Sequence, residues 1–332
     1  MRYSDEELRA ELRARPWTAY NIPLSEGVST LPGTPSFFED ARVLAITRTL
    51  RAFFGSDLGS VRIADLGCLE GGFSIALALA GAQVVGFDAR EENLRRARFA
   101  AAHFELDTLE FRQLDVKGLR ADREGRFDVV LVLGLLYHLD RPVEWLAQIA
   151  PMASRLLVVD THVAPPDDAA LARLHESIAR VGGLERITVA GTAYSGRWFR
   201  EVEPGATIED ARWAAWSNRY SFWLTRESLC LAIQRAGCDL VYEQQDWMLD
   251  QWERCNVELA RRLVVGVKSA PGLAVGAVAE PHVDDLLRHG AEPADTRGVL
   301  SYAPSLRSRV NGAVSRLKAA GRRLARRRRA ER

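Results

Sequence analysis

The residues of this sequence most able to do chemistry are acids set at the ends of apolar runs. In "VRIADLGCLEGGFS" an apolar run, residues 61–64, closes on Asp65 and passes straight into Gly67, Gly71 and Gly72. Glycines there permit a tight turn and close approach of a ligand to the backbone. Asp88 and Asp115 stand at the ends of the next two apolar runs. A loop made for a pyrophosphate needs glycine where Leu69 stands, because a side chain there crowds the phosphates at the helix N-terminus. Asp65 in the mouth of the loop repels an anion and welcomes a cation. Three acids at three successive strand ends therefore suit a cationic nucleoside without phosphate. Asp88 is placed to accept from ribose hydroxyls and Asp115 from an adenine amino group.

The elements that must position these residues follow from the pattern. Residues 61–64 read as a short buried strand, 73–80 as a helix stopped by Gly81, and 83–87 as a second strand ending at Asp88. A helix over 92–104 and strands over 109–116, 127–139 and 154–163 continue the alternation, with a helix from Pro142 to 150 in between. Strands and helices alternating at this spacing predict an α/β fold, a Rossmann-like doubly wound sheet that is mostly parallel. The rhythm breaks at 163–222, an insertion expected to form an aromatic-rich cap. A helix capped by Thr225, a strand after it and a closing strand in "RRLVVGVK" restore it. A charged helix over 1–16, a turn-rich stretch over 17–36 and a helix over 37–54 precede the first strand. The expected organisation is an N-terminal helix and lid segment (1–56), a main domain (57–268) carrying the cap (163–222), a linker (269–304) and a tail (305–332).

Composition narrows the context. The 332 residues carry a formal net charge of only +1, but residues 307–332 hold eleven Lys/Arg and one acid. The rest of the chain is therefore net −9, which argues against a nucleic-acid groove across the body. Within the tail, Leu306, Val310, Val314, Leu317 and Leu324 fall on one stripe among arginines. That pattern reads as a basic amphipathic helix suited to an anionic membrane surface, with a nucleic-acid arm as its rival. Cys68, Cys230, Cys238 and Cys255 show no metal or redox spacing, no run spans a membrane, and the N-terminus is charged. The expected location is cytoplasmic, or peripheral at the inner face of the membrane.

"DLGCLEGGFS", "GFDA", "QLDV" and "FDVVLVLGLLYHL", in that order and spacing, resemble the successive motifs of the class I S-adenosylmethionine-dependent methyltransferases. The likeness covers roughly residues 60–165, with a weaker echo at 218–268, and departs from the family at Leu69. It implies a seven-stranded sheet whose last strand is antiparallel, and S-adenosyl-L-methionine as the cofactor. It further implies that Asp65, Gly67 and Gly71 meet the methionine part, Asp88 the ribose, and Asp115 with Val116 the adenine. Leu133 and Gly134 would border the site of methyl transfer.

An alcohol acceptor is a poor nucleophile and gains from a base. His138, at the end of the fourth strand, is the leading candidate, with a packed wall histidine as its bland alternative. His162 is the second candidate. Asp160 with His162 as a divalent-metal site is the less favoured reading, since spacing supplies no third ligand. Tyr20, Arg197, Trp198, Trp216 and Arg219 are the expected substrate contacts, aromatic rings stacking on a sugar and arginines bonding its oxygens. His175 reads as a surface-helix residue. "NRYSFWLTRESLCLAIQRAGCDLVYE" also resembles enzymes that carboxymethylate the tRNA wobble uridine, and equally O-methyltransferases of bacterial glycans and secondary metabolites. The acidic body favours the latter, with a small-molecule, glycan or lipid-linked acceptor. A non-catalytic binding module is the third reading, and homo-oligomerisation is left open.

Overall fold

The computed structural model describes residues 2–171, 180–207, 214–245, 247 and 261–268. The linker and tail read from the sequence, with His175 and Cys255, lie outside the described residues. The chain opens with α1 (Asp5–Ala14), whose Ser4 and Glu7 form a reciprocal cap. A small hairpin, β1 (Pro23–Ser25) and β2 (Val28–Ser29), and α2 (Ala41–Phe54), capped by Asp40, follow. Then come β3 (Arg62–Leu66), α3 (Gly72–Leu79), β4 (Gln83–Asp88), α4 (Glu91–His103), β5 (Leu109–Gln113) and the single turn α5 (Ala121–Glu124). β6 (Phe127–Leu133), α6 (Pro142–Ile149) and β7 (Ala153–His162) complete the alternating part.

After the short α7 (Asp168–Leu171) the insertion builds its own sheet from β8 (Val181–Val189), β9 (Thr192–Arg200) and β10 (Tyr220–Leu224), antiparallel throughout. It runs slightly past the expected boundary, because β10 extends through Leu224 before Thr225 caps α8 (Arg226–Arg235). β11 (Leu240–Gln244) and β12 (Arg261–Val267) then join the main sheet. That sheet has seven strands in the order β11-β12-β7-β6-β3-β4-β5. β12 runs antiparallel to both neighbours and β3 to β7 pair in parallel. The central strands are apolar nearly throughout, as strands covered on both faces must be. Among the described residues no helix is long and apolar enough to cross a membrane.

Two strand ends differ from expectation, and both differences shape the site. The run 127–139 does not stay extended. Gly134 takes φ 72°, and the chain folds into a 3-10 turn at Leu136–His138. The run 109–116 ends at Gln113, and Asp115 caps a 3-10 turn by accepting from Lys117 N–H at 3.0 Å. In each case a side chain that continuous pairing would commit to one sheet face is turned toward the carboxyl edge, where open α/β sheets take their ligands.

Candidate active site

A cavity of about 310 Å3 opens at that edge. Its floor is the glycine loop after β3, and the neighbouring strand ends supply the sides. Gly71 has φ 79°, and a Cβ there would lie 2.8 Å from Phe111 and 2.9 Å from Ala97, so only glycine fits. Leu69 takes the left-handed region too, at φ 54°, a conformation costing a branched residue about 1–2 kcal/mol. The departure from the family's glycine thus leaves the loop's turn intact. Leu69 N–H donates to Asp88 Oδ2 at 3.0 Å, which ties the turn to β4.

Gly67, Asp88, Asp115, Val116, Leu133, Gly134, His138, Tyr20 and Trp216 all line the cavity. Asp88 also accepts from Arg90 N–H and Asn93 Nδ2 on Oδ1. Three of roughly four acceptor positions are thereby used, leaving room for a ligand hydroxyl. Burial raises its pKa above the ordinary value.

Several expected contacts lie elsewhere. Asp65 is buried behind the loop, accepts from Ser74 Oγ at 2.6 Å, and its pKa is pushed by desolvation to about 6. Its carboxyl supports the loop from beneath instead of facing a ligand cation, because the strand runs two residues further than expected and keeps it inside. Gly71 packs against β5 and α4. His162 stacks on Trp223 and meets the edge of Tyr137, outside the cavity lining. Arg197 is fully buried within the cap, donating to Pro165 O, Gly182 O and Asp168. Trp198 packs on Phe222 and bonds Glu185, while Arg219 is exposed and donates to Ala206 O. The insertion uses these side chains to build itself. Asp160 is fully buried with both oxygens engaged by guanidiniums, Arg261 at 2.7 Å on each and Arg42 at 3.3 Å. Burial alone raises its pKa, but these partners outweigh it and hold Asp160 below its ordinary value. Two guanidiniums already balance its charge, and among the described residues no group of three or more His, Cys, Asp and Glu could hold a metal ion.

The structure brings in residues that sequence reasoning did not single out. Glu201, from the end of β9 and buried, accepts from His138 Nδ1 at 3.0 Å, Ala215 N–H at 3.0 Å and Ser221 Oγ at 2.6 Å. A carboxylate accepts only, so Nδ1 of His138 donates in this contact and Nε2 is the ring nitrogen left for another partner. Glu70, buried inside the glycine loop, accepts from Thr18 N–H and Oγ1 and from Ala19 N–H. It thereby anchors the N-terminal segment that, with Tyr20, walls the cavity. Arg90 lies over the Trp216 ring at 5.1 Å and reaches Ala214 O, joining the cap to the strand end that carries Asp88. Glu70 offered the signal of a charge inside a glycine-rich loop, whereas nothing in "WFREVEP" set Glu201 apart from its charged neighbours.

Comparisons with known proteins agree with this geometry. Residues 59–181 match the family model described as "Methyltransferase domain". The ubiquinone biosynthesis O-methyltransferase of Psychrobacter arcticus is 38% identical over 86 residues, 26% of this chain and 34% of that protein. The enzyme of the same name from Bordetella pertussis is 33% identical over 96 residues, 29% of this chain and 39% of that protein. The chain thus spans little more than a third of these curated relatives. Among solved structures, the N-terminal domain of EvdMO1, crystallised in the presence of S-adenosylhomocysteine and D-fucose, aligns with TM-score 0.57 and 29% identity. That alignment covers 80% of this chain and 96% of the domain. Residues 59–181 thus carry a methyltransferase domain, and the seven-stranded sheet with its antiparallel last strand and the glycine loop are those of the class I S-adenosylmethionine-dependent methyltransferases.

Proposed function

We propose that this chain transfers the methyl group of S-adenosylmethionine to a hydroxyl of a small-molecule acceptor, a sugar or a glycosylated metabolite, with His138 as the base. The observation that carries this reading is that one cavity joins Gly67, Asp88 and Asp115 to a histidine whose other ring nitrogen is held by a buried carboxylate. The residues fit the cofactor. Gly67 gives close approach with no room for a larger side chain beside Leu135, and the acids after β4 and β5 offer acceptors without a phosphate cradle.

When bound, S-adenosylmethionine supplies a methyl group on a sulfonium, which leaves as a neutral thioether. Asp88 accepts from a ribose hydroxyl, and Asp115 with Val116 borders the base. His138 Nε2 takes the acceptor's proton as its oxygen forms the new bond to carbon, and Glu201 steadies the resulting imidazolium. Alignment of the two reactants supplies much of the rate, and the cap residues Ala214 to Trp216 complete the enclosure. The acceptor class rests on the O-methyltransferase names of the relatives and on the sugar present with the structural neighbour. The basic segment 305–332 suits docking on anionic lipid, which comparing liposome co-sedimentation of the full chain and of 1–304 tests.

Calorimetric titration with S-adenosylhomocysteine, and with NADH as control, tests the cofactor. Micromolar binding of the first alone is expected; binding of NADH or of neither overturns the reading. Turnover on a panel of sugars, lost in His138→Ala while S-adenosylhomocysteine binding persists, tests the chemistry.

A further inference from the structure

The turn that carries His138 is held from outside. Tyr137 O accepts from Trp223 Nε1 at 2.8 Å, His138 O from Asn218 Nδ2 at 3.0 Å and Leu139 O from Phe222 N–H at 2.8 Å. Three consecutive carbonyls thus take their donors from the insertion. A lone 3-10 turn has too few internal bonds to fix itself, so these donors set where the His138 main chain lies. Glu201, from the same insertion, then orients the ring.

Asn218 differs from the other two donors. Phe222 gives a main-chain N–H, and Trp223 is packed among the rings of Tyr137, His162 and Phe199. Asn218 is half-buried just before β10, outside the cavity lining, and its amide is used at both ends. Nδ2 donates to His138 O and to Tyr220 O at 2.8 Å, while Oδ1 accepts from Lys117 Nζ at 3.0 Å. A cation on one side and two carbonyls on the other allow one orientation of the amide. Lys117 belongs to the turn that Asp115 caps on the cavity wall. α6 braces that turn, Trp145 Nε1 donating to Val116 O at 2.8 Å and Gln148 Nε2 to Lys117 O at 3.0 Å. Asp140, just past the His138 turn, pairs with the same Lys117 Nζ at 2.9 Å. A braced turn, a lysine and an amide therefore run in one line from the Asp115 wall to the main chain of the base.

We propose that Asn218 is a positioning residue for the reaction. Pinned by Lys117, it sets His138 against the turn after β5, so that the base and the Asp115 wall keep one spacing. It touches neither reactant and acts through His138 O. Methyl transfer needs acceptor oxygen, methyl carbon and sulfur in line, and a misplacement of about 1 Å in a group that aligns them costs roughly 100-fold in rate. The inference rests on His138 as the base of the proposed function.

Two measurements on the full chain test this. In the S-adenosylhomocysteine complex, the ring nitrogen resonances of His138, identified by their loss in His138→Ala, report its surroundings without an acceptor. Asn218→Asp keeps an oxygen for Lys117 but sets a second one against two carbonyls, and it should shift those resonances. Lys117→Met, a surface change that frees the amide, should shift them by less, and Arg219→Ala, next to Asn218 but exposed, should leave them in place. Resonances unmoved in Asn218→Asp or in Lys117→Met overturn the role. The second measurement is turnover on a sugar of the panel that is methylated. Asn218→Asp should lower kcat roughly tenfold or more, with acceptor KM and S-adenosylhomocysteine affinity within about twofold. In the His138→Ala background the same change should cost less than about twofold, because the residue it acts through is gone. An equal loss in both backgrounds sinks the proposal. Full turnover in His138→Ala removes the base from the proposed function and the positioning role with it. If no sugar is methylated, the acceptor class fails and the resonances alone decide the positioning.

Discussion

The wall of the cavity made by residues 65–138 and the wall contributed by the insertion meet at His138, and they are built on different principles. The first is backbone-led. Strand ends, positive-φ turns and short caps set where Asp88 and Asp115 lie, each through bonds to residues two to five positions away or to the adjacent loop. The second is side-chain-led. Its three-stranded sheet spends Arg197 and Trp198 on its own interior and sends in Glu201 and the segment Ala214 to Trp216. Local geometry builds the wall that carries Asp88 and Asp115, and long-range side-chain contacts complete the wall that meets His138.

Variants on the two walls can break that division. The largest effect belongs to the junction: His138→Ala should lower kcat by roughly 10²–10⁴-fold while S-adenosylhomocysteine affinity by calorimetry stays within about twofold. A comparable loss of affinity would mean that the halves are not separable. Next is Asp65→Asn beneath the loop. The folded-state pKa, raised from 3.8 to about 6, means the folded protein holds its proton longer than the unfolded chain. Stability is therefore lost as pH rises through that window, on the order of 3 kcal/mol by linkage. Denaturant unfolding should show the Asn variant more stable than the native chain at pH 7.5 and little different near pH 4. Equal stability at both values would mean that Asp65 is better solvated than its surroundings indicate.

On the cofactor wall, Asp88→Ala should weaken S-adenosylhomocysteine by roughly 10–100-fold, the worth of a charge-assisted bond, because the ribose acceptor and the tie to Leu69 are lost together. The smallest effect tests the cap's reach across the divide. Trp216→Ala removes the ring under Arg90 and should cost roughly 0.5–1 kcal/mol, a twofold to fivefold weaker S-adenosylhomocysteine titration. No change would confine the cap to the acceptor side.

The alternation of strands and helices, the parallel sheet, the glycine loop and the stop at Gly81 were legible because each is encoded within about thirty residues. Leu133, Gly134 and His138 were legible as a group because a polar end on an apolar strand marks the carboxyl edge. Asp65 was read one step too exposed, since periodicity fixes a strand's existence better than its last residue. The cap contacts were read least well: tryptophans and arginines look alike in sequence whether they face a ligand or hold a small sheet together.

The sequence by itself determined the class of the fold, the acids at the strand ends and the candidate base. Only the tertiary structure decided who stands beside them. Glu201 meets His138 across 63 residues, and Arg261 and Arg42 meet Asp160 across 101 and 118. Arg261 arrives because β12 is antiparallel, so its first residue lies where the parallel strands end. No spacing in a sequence announces such a neighbour. Buried charges choose partners by where packing leaves them no water, and that is settled only once the whole sheet is assembled.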